Sequence, residues 1–142
     1  MTGNLSKFEL QLCNIQGRLF ELALSHGYDC FDFANKFMNS KTCEFLDLPY
    51  DRLQWAGEEY ILENLLDESA VKKASEENFS SEEAFWTGYT YRYWHLMTGE
   101  SSRDIYAQAD AQTMKECYLG FHTLDMTMAI EDLKEIHRQQ ES

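Results

Sequence analysis

The chain has 142 residues, of which 44% are hydrophobic and 14% aromatic, so it can bury the core of one compact domain. Its formal net charge of −13 at pH 7 argues against direct binding to nucleic-acid phosphates or anionic lipid, because both require clustered lysine and arginine side chains. The partner that this charge favours is a protein with a basic surface.

Cysteine usage and hydropathy indicate the compartment. The four cysteines are far apart in the sequence, and the chain does not start with a basic segment followed by an apolar run. We therefore expect a cytoplasmic protein whose thiols are reduced. No stretch approaches the roughly 20 apolar residues that a membrane-spanning helix needs, so we expect no interaction with membranes. The cysteines are Cys13, Cys30, Cys43 and Cys117.

The first predicted element is a long amphipathic helix that begins at Asn4 or Ser6 and ends at Ser25. Apolar residues recur there at steps of three and four, which places them on one face of a helix. Gly27 follows as the expected stop, because glycine commonly ends helices. The residues of this apolar face are Phe8, Leu12, Ile15, Leu19 and Leu22.

Two short helical segments and a longer helix are predicted next. Asp29 and Ser40 are typical N-cap residues for the short segments, and Pro49 ends this unit and opens the longer helix. Gly57 interrupts the longer helix and indicates either close packing or a bend. The apolar stripe of that helix consists of Leu53, Ala56, Tyr60, Ile61 and Leu65.

The middle of the chain is its most acidic part, since residues 58–83 contain nine acidic and two basic residues. Within it, residues 67–80 have the weakest helical pattern. We interpret them as a linker between two helical halves, 1–66 and 81–142, of a single domain. Acidic blocks of this kind are either solvated helix ends with a linker or docking surfaces for a basic partner.

The second half of the chain is predicted to be helical throughout. Ser80 and Glu83 form the sequence pattern of a capping box, and the helix that they begin ends before Gly99. Because no segment shows the alternation of a strand, we predict an all-α domain, a compact bundle of about six to seven helices, some of them short. The later elements are a helix at about 102–109 with a box-like start at Ser101, a helix at about 111–118 with Asp110 as its candidate N-cap, a break at Gly120 and a helix from about Met126.

The segment YTYRYWHLMTGESS, residues 89–102, gives the helix after Ser80 two aromatic faces. At 100° per residue one face is apolar and is predicted to face the core. Tyr91, Trp94 and His95 lie on the other side, and their apolar area needs cover. Other helices of the domain, a protein partner, or a stacked base or small ligand are the three possible covers. The predicted core face contains Phe85, Trp86, Tyr89, Tyr93, Leu96 and Met97.

Polar residues beside these aromatics form a candidate ligand pocket. Arginine can hold a phosphate or carboxylate, and histidine can transfer a proton near neutral pH. The alternative interpretation is that the arginines form ion pairs at the surface or within the bundle. The candidate pocket residues are Arg92, His95, Glu100 and Arg103.

The sequence contains no motif for metal, cofactor or phosphate chemistry. No histidine has an acid three residues before it, no cysteine or histidine pair has zinc-ligand spacing, and no phosphate loop or GxSxG elbow occurs. We therefore predict no metal site and no cofactor, and we favour a protein without catalytic activity. A nucleophile pair of Cys117 with His122 or His95 is left open.

Two segments, LQWAGEEYILENLLDE (53–68) and YTYRYWHLMTGESSRDIYAQADAQTMKECYLGFHTLDMTMAIEDL (89–133), contain the motifs GEEYI and YRYWHxxTGESSxxIY. They resemble a family of small bacterial proteins, without an established activity, that is associated with toxin–antitoxin-like loci. The resemblance implies a bacterial cytosolic accessory protein, with an antitoxin or immunity-type binder as the expected function. It assigns no role to any single residue.

The leading hypothesis is an acidic helical protein-binding module, an antitoxin-like or immunity-type inhibitor that occludes a partner protein. Tyr91, Trp94 and His95 would anchor the partner, and Arg92 would orient them. One alternative is a small-ligand binder or enzyme that uses Arg92, His95 and Glu100. Another is a nucleic-acid-mimicking inhibitor of a bacterial defence nuclease. Acids of the 58–83 stretch would steer association with the partner, and they include Glu58, Glu59 and Glu63.

Overall fold

The computed structural model describes residues 5–141, and helices account for 74% of them, without a strand in that range. The all-α class is therefore confirmed, but the eight α-helices of this range exceed the predicted six to seven. The helices are α1 (Lys7–Ser25), α2 (Cys30–Met38), α3 (Lys41–Asp47), a 3-10 helix (Arg52–Trp55), α4 (Glu58–Glu68), α5 (Ser81–Thr98), α6 (Ser102–Gln108), α7 (Ala111–Phe121) and α8 (Met126–Glu141).

Most of these helices begin at the N-cap residues that the sequence predicted, where a side-chain oxygen accepts a backbone amide of the first turn. Ser80 Oγ accepts the amide of Glu83 at 3.1 Å, and Glu83 Oε1 accepts the amide of Ser80 at 2.8 Å, so the predicted capping box is confirmed. The same arrangement at Ser6 begins α1, while Asn4, the other predicted start, lies outside the described residues. The remaining predicted caps that accept a backbone amide are Asp29, Ser40, Ser101 and Asp110.

Two predicted boundaries are wrong. The helix expected to run from Pro49 is divided, because Gly57 has φ +86°, a backbone conformation that ends the 3-10 segment and caps α4. Gly57 therefore marks a break, one of the two outcomes left open by the sequence. Gly120 does not break the chain, since it lies within α7, which continues to Phe121. A helix tolerates a single glycine at a modest cost in free energy.

The core is built around the contact between α1 and α5. An added Cβ at Gly88 on α5 would lie 2.4 Å from the carbonyl oxygen of Gln16 on α1, so the two backbones are in close contact there. Gln16 Nε2 also donates to the Gly88 carbonyl oxygen at 3.0 Å. One hydrophobic cluster includes Phe20 and Phe33 from the first half of the chain and Trp94 from the second.

Residues 69–80 form no helix, and they are bound to the turn between α1 and α2. The amide of Asp29 donates to the Lys72 carbonyl oxygen, and the amide of Ala74 donates to that of Gly27, both at 2.9 Å. Asn78 Oδ1 accepts the amide of Cys30 at 2.9 Å. This segment is therefore held against the turn between α1 and α2 by hydrogen bonds, which a freely moving linker would lack.

Candidate functional site

The second aromatic face of α5 is covered within the chain. Tyr91 and Trp94 both have 0% of their surface exposed, whereas Phe85 and Tyr89 on the predicted core face are half-buried. The prediction that Tyr91 and Trp94 anchor a partner is therefore wrong, because a side chain without exposed surface cannot contact another protein while the domain is folded. The close approach of α1 at Gly88 explains which face is buried.

The polar atoms of these two aromatics have partners inside the protein. Tyr91 donates its hydroxyl hydrogen to the Ala109 carbonyl oxygen at 2.6 Å, and Trp94 Nε1 donates to Glu100 Oε2 at 3.3 Å. Buried hydroxyl and indole groups need such acceptors, since an unpaired buried polar group costs free energy. The sequence left three possible covers for this aromatic face, and in the structure other parts of the same domain cover Tyr91 and Trp94.

Arg92 is buried, with 3% exposure, and its charge is compensated by Asp47 at the end of α3. Arg92 Nη1 lies 2.8 Å from Asp47 Oδ1, and Arg92 Nε donates to Gln16 Oε1 at 2.9 Å. The Asp47 carboxylate also accepts the amide and the hydroxyl of Ser102, at 2.8 and 2.7 Å. This ion pair links α1, α3, α5 and the start of α6, so its role is structural.

His95 is held between two carbonyl oxygens. Its Nδ1 lies 2.6 Å from the Glu100 carbonyl oxygen, and its Nε2 lies 3.1 Å from that of Asp47. The ring therefore connects the end of α3 to the turn after α5. Both ring nitrogens are engaged, which leaves neither of them directed at a substrate in this arrangement.

Glu100 accepts hydrogen bonds from three side chains on different elements. Lys134 Nζ donates to Glu100 Oε2 and Gln108 Nε2 donates to Glu100 Oε1, both at 2.6 Å, in addition to the Trp94 indole. Partial burial acts to raise the pKa of Glu100, but these hydrogen bonds outweigh it and lower the pKa from 4.5 to about 2. The ionised carboxylate therefore stabilises the contact between α5, α6 and α8.

The lowered pKa of Glu100 predicts that the free energy of unfolding depends on pH. Because its pKa is lowered on folding, its contribution is fully present above about pH 5 and is lost as the pH falls towards 2. We expect Glu100→Gln to destabilise the protein at pH 7 and to reduce the loss of stability between pH 5 and 3. Urea unfolding of both proteins across this range measures the difference. Parallel curves at all pH values would contradict the assigned pKa.

The predicted ligand pocket is not formed as an open site. The structure brings Arg92, His95 and Glu100 together, but each is engaged by protein groups, and the cavity beside Arg92 has a volume of only about 10 Å³. That volume holds a single water molecule at most. Arg103 lies on the other side of Asp47, where it lines a separate groove of about 180 Å³, and its Nη2 donates to the Asn39 carbonyl oxygen at 2.7 Å.

The four thiols are free, and their surroundings disfavour the nucleophilic thiolate. Burial raises the pKa of Cys13 to about 12 and that of Cys43 to about 11. Partial burial also raises the pKa of Cys117, the cysteine considered as a nucleophile with His122 or His95. None of these three thiols is activated in this structure.

Five of the seven large hydrophobic side chains that are strongly exposed among the described residues lie between residues 45 and 60, and the other two are Leu119 and Met128. Tyr50 has 92% and Trp55 has 74% of its surface exposed. Tyr50 also has φ +68°, a backbone conformation that is uncommon for a residue with a large side chain. A groove of about 450 Å³ includes Phe45, Arg52 and Tyr60 in its lining. The 45–60 surface is defined here as Phe45, Leu48, Tyr50, Arg52, Trp55 and Tyr60.

The predicted steering acids lie beside this surface. Glu59 and Glu63 on α4 are exposed and four residues apart, and Tyr60 lies three residues before Glu63, so the three side chains neighbour each other on the helix. Glu58 is less available, because Arg18 Nε lies 3.3 Å from its Oε2. Glu59 and Glu63 therefore border Tyr60, an exposed aromatic residue that was not predicted to bind a partner.

A sequence signal for the 45–60 surface existed in the turn residues. Tyr60 was assigned to an apolar stripe on the assumption of one continuous helix from Pro49. With breaks at Pro49 and Gly57, the aromatic residues between them fall in short segments, whose side chains have less neighbouring structure to pack against. Aromatic residues in a segment rich in turn signals are thus a better guide to an exposed surface than aromatic residues in a long helix.

None of the helices in residues 5–141 has the length and apolar character needed to cross a membrane. Within the same residues, no three or more histidine, cysteine, aspartate or glutamate side chains are grouped as a metal site requires. Comparison with known proteins found no matching protein-family model, no matching curated protein and no matching solved structure.

Proposed function

We propose that the chain is an acidic helical protein-binding module that inhibits a partner by covering a basic surface, as an antitoxin or immunity protein does. The observation that carries this proposal is the 45–60 surface. Tyrosine, tryptophan and arginine dominate the binding energy of protein interfaces, and here Tyr50, Arg52 and Trp55 lie exposed within six residues of one another.

The exposed aromatic residues need an explanation because their apolar area is in contact with water. A monomer that stays free in solution rarely concentrates large apolar side chains in one place. Trp55 packs on Phe8 at a ring-centroid distance of 4.8 Å, which supports one side of its indole and leaves the rest open. A supported but exposed ring is prepared for contact at little cost in side-chain entropy.

The chemistry of the partner follows from charge. The net charge is −13, and exposed acids such as Glu44, Glu59 and Glu63 lie within or next to the 45–60 surface. Complementary charge accelerates association and selects against acidic partners. A partner with an apolar centre and a basic rim fits these features, and a folded acidic protein seated there would exclude a polyanionic substrate. An antitoxin or immunity-type binder is also the function that the sequence resemblance implies.

The test compares two double variants that each remove exposed apolar side chains. Tyr50→Ala/Trp55→Ala changes the 45–60 surface, and Leu119→Ala/Met128→Ala is the control, since Leu119 and Met128 are exposed elsewhere. Each protein is used to capture partners from a lysate of the source cell, and the dissociation constant of the purified complex is then measured. We expect the first variant to weaken binding by roughly thirtyfold or more and the control to leave it unchanged.

Other outcomes would count against the proposal. Retention of the partner by the Tyr50→Ala/Trp55→Ala variant with unchanged affinity would show that the 45–60 surface does not bind it. If that affinity also fell steeply with salt, recognition would rest on the acids themselves, as in a nucleic-acid mimic. Absence of any stoichiometric partner for the unmodified chain would contradict the protein-binding function.

A further inference from the structure

A second surface feature is an aromatic groove that shares no residue with the 45–60 surface. It lies between α1, α5 and the end of α7 and has a volume of about 450 Å³, within the range of small-ligand sites. The groove is open to solvent along its length, and most of its exposed lining is apolar. The aromatic groove is defined here as Glu21, Glu82, Phe85, Trp86, Tyr89, Tyr118 and His122.

The rings of the aromatic groove form walls in two directions. The Trp86 and Tyr118 rings have centroids 5.8 Å apart and meet at 79°, so they form a corner. His122 stacks on Tyr118 with ring centroids 4.3 Å apart and an angle of 12°, and both rings line the groove. Phe85 and Tyr89 continue the aromatic lining along α5, with centroids 5.9 Å apart. Rings at steep angles can present more than one face or edge to a single bound group.

The position of the groove is fixed by close packing beneath it. An added Cβ at Gly17 on α1 would lie 2.7 Å from the Phe85 ring, so α1 supports this ring directly. Trp86 is buried to more than nine-tenths, and its indole Nε1 has no hydrogen-bond partner among the described residues. Trp86 is therefore largely enclosed by the protein and lines the groove with a small part of its ring surface.

The charges at the groove are negative. Glu21 and Glu82 line it, no lysine or arginine does, and Glu21 Oε2 accepts only the hydroxyl of Ser81, at 2.8 Å, among the contacts of the described residues. Lys115 on α7 pairs with Glu77 and Glu83 and so does not neutralise these two acids. An anionic ligand would be repelled here, and a neutral apolar ligand would gain nothing from the carboxylates.

We propose that the aromatic groove binds a quaternary ammonium group, the cation class to which choline belongs. Such a group is apolar at its surface and cannot donate a hydrogen bond, so aromatic faces are its best partners and nearby carboxylates add attraction. A primary ammonium ion would lose more hydration on entering the groove. The aromatic corner, the acidic border and the absence of lysine and arginine from the lining all favour the same ligand class.

The first experiment compares choline with 3,3-dimethyl-1-butanol, its uncharged isostere, at equal ionic strength. Binding is followed by NMR through the indole N–H resonance of Trp86, assigned with Trp86→Phe, and by calorimetry. We expect choline to bind about three- to thirtyfold more tightly than the isostere, since the charge is the one difference between them. Equal affinities would show a merely apolar groove, and absence of binding by either would exclude the site. Both results overturn the proposal.

A matched pair of variants tests the role of the acidic border. Glu82→Gln removes a groove carboxylate, and Glu131→Gln removes an exposed carboxylate of α8 outside the groove. We expect Glu82→Gln to weaken choline binding about two- to fivefold without affecting the isostere, and Glu131→Gln to change neither. Equal effects of the two variants would show that choline is attracted by the net charge of the protein, which would contradict the assigned site.

A third variant tests the aromatic rings without removing apolar bulk. Tyr118→Leu keeps an apolar side chain in the corner and removes the ring, so the preference for choline over the isostere should fall towards unity. The melting temperature of each variant shows whether the fold is intact. A preference that is unchanged in folded Tyr118→Leu would overturn the proposal.

Discussion

Replacing Asp47 by asparagine is expected to lower the free energy of unfolding by about 3 kcal/mol, because it leaves the buried Arg92 guanidinium without a counter-charge. Among the described residues, the carboxylate accepts three hydrogen bonds, one from Arg92 and two from the amide and hydroxyl of Ser102, and His95 Nδ1 lies 3.8 Å away. The amide of asparagine would direct two hydrogens at groups that are themselves donors.

Urea unfolding of Asp47→Asn, with Glu135→Gln as the control variant, measures this loss in the free energy of unfolding. Glu135 pairs with Arg138 on the surface of α8, where both side chains are at least half exposed, so its loss should leave stability nearly unchanged. The double variant Asp47→Asn/Arg92→Met removes the unpaired charge and should be more stable than Asp47→Asn alone. Similar small losses in the buried and the surface variant would mean that Asp47 does not compensate Arg92.

Gly88→Ala is the second substitution with a large expected effect, a loss of about 2–3 kcal/mol from overpacking between α1 and α5. The new Cβ would lie 2.4 Å from the Gln16 carbonyl oxygen and 2.8 Å from a ring carbon of Phe20. The carbonyl belongs to the backbone of α1, so relief requires the whole helix to shift. The hydrogen bond from Gln16 Nε2 to the Gly88 carbonyl oxygen would be disturbed by the same movement.

The control for Gly88→Ala is Gly120→Ala in α7. Nothing lies within 4 Å of a Cβ added at Gly120, so alanine there should raise stability by about 0.5–1 kcal/mol through its higher helix propensity. The two variants carry the same chemical change with opposite expected signs. Thermal or urea unfolding distinguishes them, and a stabilising effect of both would show that α1 and α5 are not in contact at Gly88.

The burial of Tyr91 and Trp94 changes how binding has to be tested. Alanine at either position would leave a large cavity in the core, which typically costs several kcal/mol, and Tyr91→Ala would also orphan the Ala109 carbonyl oxygen. If such a variant no longer bound its partner, the cause would be unfolding and not the loss of a direct contact. Tyr50 and Trp55 avoid this problem, because most of their surface is already in contact with solvent.

The helical class, the cap positions and most helix ends could be predicted from local sequence patterns. Caps at Ser80 and Asp110 depend on bonds to residues three positions away, so the local pattern contains all the information that they need. Gly99 ends α5 in the left-handed conformation for the same local reason. Breaks were harder to place, since Gly57 and Gly120 differ in backbone conformation although both are glycines within helical patterns.

Which face of α5 is enclosed depends on contacts with elements that are distant in the chain. Of the six residues on the predicted core face, Trp86 and Tyr93 are buried and the other four are only partly buried. The opposite face contains Tyr91, Arg92 and Trp94, which are all buried and whose polar atoms find acceptors on other elements. Arg92 reaches Gln16 and Asp47, which are 76 and 45 residues away in the chain, so no local pattern could reveal these partners. A helix buries the face that neighbouring elements can approach and satisfy, and Gly88 permits that approach on the side that hydropathy alone would assign to solvent.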